Sequence, residues 1–177
     1  MRALFALVFA CLPFQAWAQY YWEYKDWRVW VEDIDTGEDL RRTCSARTGG
    51  DGEPIVSLEI SNGDAGPPTF YPYPSISERA PRHFPTLMQD GQPVRFVIDT
   101  GAVFSTTAQA WLTDEGLFEA YAALNLANNL PTLQAMKRGS VMEVRTGGRI
   151  LYTASLAGFT AAYGKMMDSC GFSLSLD

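Results

Sequence analysis

A two-residue alternation of apolar and polar side chains, cut at short intervals by glycine turns, restricts this chain more than any other feature. Val56, Leu58 and Ile60 alternate with Ser57 and Glu59, and the run stops at Asn62-Gly63-Asp64. Trp27, Val29 and Val31 alternate in the same way with Arg28, Trp30 and Glu32. Successive side chains of a strand point to opposite faces, so these runs are half-buried strands. Leu40 to Ala46 reads as a partner strand that ends in the turn Thr48-Gly49-Gly50-Asp51-Gly52. Further strands are expected at Val94 to Ile98, Val103 to Trp111, Leu117 to Leu124, Val141 to Val144 and Ile150 to Ser155. The fold class is therefore mostly β: a single antiparallel β-sandwich-like domain over residues 19–177.

Two stretches leave this pattern. Asn129-Leu130-Pro131 opens a short helix that ends at Lys137-Arg138 with Gly139 as its C-cap, basic residues and glycine each suiting a helix end. Phe159, Ala162, Tyr163, Met166 and Cys170 then share one face of a C-terminal helix, with Gly171 ending it.

The first 18 residues read as a cleavable signal peptide. Met1-Arg2 is a positive start, Ala3 to Leu12 is almost wholly apolar, and Ala16-Trp17-Ala18 supplies the small residues of a cleavage site. The mature chain then begins at Gln19 in the periplasm or outside the cell, and the apolar run is too short for a membrane anchor. Cys11 leaves with the leader, so Cys44 and Cys170 remain as an even pair and read as a disulfide in an oxidising compartment. Two reactive thiols are the alternative, although no Cys-x-x-Cys spacing or nearby cation lowers a pKa. A net charge of −6 with no basic cluster makes nucleic acid and anionic membrane surfaces poor partners.

Asp99-Thr100-Gly101 carries the main chemical question. It follows the apolar strand Val94 to Ile98 and precedes Ala102, Ser105 and Thr106, which resembles the catalytic loop of retropepsin-like aspartic peptidases. That resemblance implies a homodimer in which two Asp99 carboxylates share one proton, with Thr100 holding the carboxylate and Gly101 allowing close approach. Leu156-Ala157-Gly158 is similar to the family's second element, an apolar pair and glycine before a helix. A turn is the better account of the triplet, because Asp bonds the backbone ahead of it and Gly adopts a left-handed conformation. The chain contains a second copy, Asp35-Thr36-Gly37, in a polar setting where no buried dyad could form.

Other candidates are weaker. The acidic run Asp33, Asp35, Gly37 and Asp39 hints at calcium, yet lacks the fifth-position ligand, the sixth-position glycine and the twelfth-position glutamate of an EF-hand. His83 is the sole histidine, so a multi-histidine zinc site is excluded. No cofactor or metal is expected. Pro67, Pro68, Pro72, Pro74, Pro81 and Pro85 make that section edge or loop structure, since proline lacks a ladder donor. Tyr20, Tyr21, Trp22, Tyr24, Trp27 and Trp30 crowd the N-terminal section, where exposed rings could stack on sugars and a packed strand would also account for them.

A wider resemblance covers most of the mature chain. The order of short helix, Met136-Lys137-Arg138-Gly139-Ser140, strand, glycine turn, Ser155-Leu156-Ala157-Gly158-Phe159-Thr160-Ala161-Ala162 and last helix resembles the invasion-associated locus B family of bacterial envelope proteins. Trp27-Arg28-Val29 followed by a strand bearing Cys44 is similar to that family's opening. Family members commonly carry an additional cysteine pair before the short helix, where this chain has Trp111 and Gly116. The resemblance implies a non-enzymatic envelope or secreted binding module whose partner is an envelope or host protein, and it implies no catalytic residue. The expected contact surface is the Pro67 to Pro85 section with the N-terminal aromatics; the oligomeric state stays open.

Overall fold

A computed structural model describes residues 18–35 and 37–176. The leader reading for residues 1–17, including Cys11, and Thr36 of the second Asp-Thr-Gly triplet lie outside the described residues. In chain order the elements are β1 (Ala18–Tyr24), β2 (Trp27–Asp35), β3 (Leu40–Gly49), β4 (Ile55–Ser61), β5 (Ser75–Arg79), β6 (Pro93–Ile98), β7 (Val103–Thr107), β8 (Gln109–Leu112), β9 (Phe118–Ala123), α1 (Leu126–Arg138), β10 (Val141–Thr146), β11 (Arg149–Ser155) and α2 (Phe159–Ser169). The protein is mostly β, as expected. A seven-stranded antiparallel sheet runs β1-β2-β3-β4-β5-β9-β8, and a four-stranded one runs β11-β10-β6-β7.

The sheets share a corner at Ala108. This buried residue separates β7 of the small sheet from β8 of the large one, and its N–H donates to the Gln92 carbonyl at 2.8 Å while its own carbonyl accepts from Gly91 at 2.9 Å. One strand expected over Val103 to Trp111 is thus two strands, each in its own sheet. A chain that turns from sheet to sheet in this way closes the side of a sandwich.

Period-two alternation decides which side chains go inside. Trp27, Val29 and Val31 of β2, with Val56, Leu58 and Ile60 of β4, are at most 2% exposed and join Phe96, Ile98, Met142 and Val144 of the small sheet in one core. The α2 helix packs against β1, β2 and β3. Its Phe159, Ala162, Tyr163 and Met166 are buried as the helical face requires, and Gly171 follows its end with φ +80°. Cys44 of β3 and Cys170 at the end of α2 are disulfide-bonded, with Cα atoms 6.1 Å apart.

Three expectations change. The proline-rich section contains an internal strand, because β5 pairs with β4 on one side and β9 on the other. Pro74 and Pro81 lie just outside it, so residues 75–79 keep every N–H for the ladder. The first helix begins a turn earlier than Pro131 suggests, at Leu126, where Asn125 caps it by accepting from Asn128 N–H at 3.2 Å. Pro131 lies inside that helix, and buried Asn129 is no cap: its side-chain amide donates to the Tyr71 carbonyl at 2.8 Å. Finally, Gln19 to Glu32 holds two strands rather than one, joined at Lys25-Asp26.

Candidate functional site

Asp99 lies in the tight turn between β6 and β7. Gly101, with φ +89°, donates to the Ile98 carbonyl at 2.9 Å, and Ile98 donates to the Ala102 carbonyl at 2.9 Å. The Asp99 carboxylate does not bond the backbone ahead of it, as the turn reading expected. Its two oxygens accept from Ser140 N–H at 3.0 and 3.1 Å, and one also accepts from Val141 N–H at 3.2 Å. Asp99 N–H donates in turn to the Val141 carbonyl at 3.1 Å. A carboxylate that reaches so far along the chain pins the joint between α1 and β10 to the β6–β7 turn.

Gly139 is required by this clamp. A Cβ there would lie 2.6 Å from Ile98 Cγ2 and 2.7 Å from Asp99 Oδ1. Its backbone is extended, so close approach and not a left-handed cap selects glycine. Gly158, of the second peptidase-like element, has φ +92° and would place a Cβ 1.8 Å from the Tyr24 carbonyl oxygen. It lets the start of α2 dock on the β1–β2 hairpin. By contrast, Asp35 does form the local turn, with Oδ1 accepting from Gly37 N–H at 2.8 Å.

The clamp predicts a ranking. Asp99→Ala lowers stability by about 1–2 kcal/mol, since it removes the acceptor of two amides, and Asp99→Asn costs less because one oxygen remains. Urea melts measure this; an alanine variant as stable as the parent would show the clamp to be idle.

The other predicted positions have structural partners or lie apart. Asp33 of the acidic run pairs bidentately with Arg42, at 2.6 and 2.7 Å, and this guanidinium holds its carboxyl below the usual range. His83 lies exposed on the loop after β5, with φ +73°.

A more promising arrangement spans the outer face of the large sheet, whose inner face is in the core. The strand registers place Tyr21, Trp30, Ser45 and Glu59 in one row across β1 to β4. A second row runs Ile55, Ser77, Tyr121 and Gln109 across β4, β5, β9 and β8. At one end the Tyr21 and Trp30 rings are 5.3 Å apart, and the Arg47 guanidinium lies 5.4 Å from the Trp30 ring centre. At the other end Trp111 is 44% exposed beside half-buried Tyr121. Burial raises the Tyr121 hydroxyl above its ordinary pKa, a hydrogen bond with Ser75 works against that, and Tyr73 and Glu59 add to the rise.

Small hydroxylic residues floor the space between these rings. Ser57 Oγ and Ser75 Oγ are 3.0 Å apart, and Ser75 also donates to the Ser57 carbonyl at 3.2 Å. Three hollows open on this face. One of about 500 Å³ is lined by Trp30, Ser45, Arg47 and Glu59, and the next, of about 560 Å³, shares Thr43 and Glu59 with it and adds Phe70 and Tyr73. The third, of about 630 Å³, lies among Ile55, Ser77, Trp111 and Tyr121.

This arrangement is absent from the sequence reading. Its members occupy the polar half of each alternation, which a strand pattern assigns only to solvent. Trp30, flanked by core residues Val29 and Val31, was the available signal: a large ring at an outward position. No family model, curated protein or solved structure matches the chain.

Proposed function

We propose that the chain is a non-enzymatic binding module of the bacterial envelope, periplasmic or secreted, with a role in host-cell association, and that it engages its partner through the outer face of the large sheet. The observation that carries this is the hollowed, hydroxyl-floored surface with aromatic rings at both ends. It also unites the two regions expected to make contact, since Tyr73 comes from the proline-rich section and Tyr21 and Trp30 from the N-terminal aromatics. The Cys44–Cys170 bond supports an oxidising compartment outside the cytoplasm. No described helix is long and apolar enough to cross a membrane.

The peptidase alternative has less support. A dyad needs each carboxylate turned to its symmetry mate across a shared proton, whereas both Asp99 oxygens face the Ser140 and Val141 amides.

Capture of envelope-extract and host-surface components on immobilised protein tests the proposal. Trp30→Ala combined with Tyr121→Ala abolishes the specific capture at an unchanged melting temperature, while Arg95→Ala, on the small sheet, leaves it intact. Equal capture by all three proteins would overturn the assignment of this face.

A further inference from the structure

The outer face has the chemistry of a sugar-binding surface, and we infer that its occupant is a neutral polysaccharide, bound along the chain with several sugar units in contact. The inference rests on the outer-face reading above and adds the ligand class to it.

Charge argues against anionic partners. The hollows on this face are lined by three cations, Arg41, Arg47 and Arg79, against eight acidic residues, Asp39, Glu53, Glu59 and Glu119 among them, so the face shares the negative sign of the whole chain. The opposite charges are also placed together. Arg47 approaches Glu59 at 3.9 Å, and Arg79 Nε donates to Glu119 at 2.6 Å. A surface with a net negative field repels a phosphate backbone or an acidic glycan. It does offer donors and acceptors side by side, which suits a ligand whose hydroxyls are donor and acceptor at once.

The rings supply the apolar half of the match. The C–H face of a pyranose is apolar and weakly positive, and it stacks on the electron-rich face of an indole or phenol ring. Trp30 and Tyr21 offer such faces at one end, and Tyr121 and Trp111 at the other. Ser45 and Ser75, at 3% and 5% exposure, keep the floor between them low and polar. A protein partner would instead call for a central apolar anchor pocket, and the centre here is serine.

Reach fixes the ligand's size. Trp30 on β2 and Tyr121 on β9 are four strand spacings apart, about 19 Å at about 4.8 Å per spacing. A monosaccharide cannot touch both ends. The first row reaches Tyr21 on edge strand β1 and the second reaches Gln109 on edge strand β8; the rows cross β4 at Glu59 and at Ile55, so the track runs diagonally over the sheet from edge to edge and accepts the middle of a chain.

The mature chain is titrated with maltohexaose, cellohexaose, chitohexaose and soluble mannan, followed by tryptophan fluorescence and calorimetry. At least one of these produces a saturable change, its affinity falls by about tenfold in Trp30→Ala or Tyr121→Ala, and the corresponding disaccharide binds far more weakly. Melting curves confirm that the variants fold. Failure of all four neutral glycans overturns the ligand class, as does binding of a heparin fragment or an unfolded peptide in their place. If extract capture still depends on Trp30 and Tyr121 in that event, the binding module stands and only its ligand is wrong. If extract capture is indifferent to both residues, the binding face falls with it.

Discussion

Replacing Cys44 and Cys170 together by alanine lowers stability by about 4–5 kcal/mol on the chain-entropy account, the largest loss expected from any change to this protein outside the core aromatics. The size follows from the span of the bond, which closes 126 residues and so removes much of the unfolded chain's freedom. Its placement adds to the effect. Cys44 lies at the centre of β3, fully buried, and Cys170 ends α2 at 6% exposure, so the bond ties the middle of the large sheet to the last helix. Whole-domain stabilities are only about 5–15 kcal/mol, so the bond accounts for a large share of the total. Urea melts of the oxidised parent and the double variant measure the difference, and mass spectrometry under reducing and non-reducing conditions verifies the bond. Coincident melts would show that packing alone holds α2, and free thiols in the purified parent would show the pairing wrong.

Reading the sequence recovered the parts of this fold that local periodicity encodes. The β2 and β4 strands alternate because each has one buried face and one more exposed face, and the α2 face is legible for the same reason. What escaped it depends on partners distant in sequence. The β5 strand is only five residues long, and its pairing with β9 joins Ser75 to Ala123 and Arg79 to Glu119, which no local pattern announces. Flanking prolines outweighed it. The start of α1 was misplaced because Pro131 and Asn129 form a good local start signal, while the burial of Asn129 against Tyr71 is a tertiary fact. Gly139 was read as a glycine chosen for its conformation; space beside Asp99 is the stronger reason. The outer-face site was hidden for a related reason. Trp30 and Tyr121 are remote in the chain, and only the register of five neighbouring strands brings their rings to opposite ends of one hydroxylic floor.

Trp27→Ala costs about 3–5 kcal/mol, the usual range for deleting a large aromatic from a core. Trp27 is fully buried at the start of β2, its ring meets Phe159 edge-on at a centroid distance of 5.1 Å, and its Nε1–H donates to the Ser155 carbonyl at 2.9 Å. Alanine therefore opens a cavity under the first turn of α2 and strands a carbonyl at the end of β11. Trp27→Phe separates the two effects, because it keeps most of the apolar volume and loses only the indole N–H, for about 1–3 kcal/mol. The consequence for α2 is specific. Its start is held by Trp27 and by the contact of Gly158 with the Tyr24 carbonyl, and its end by the disulfide. With the start released, the covalent tie at Cys170 becomes the main restraint on the helix, so the Trp27→Ala loss and the cysteine loss exceed additivity when combined. Denaturant melts of the single and combined variants measure that coupling. Strict additivity would mean that the two ends of α2 are held independently, and that Trp27 stabilises the sheet alone.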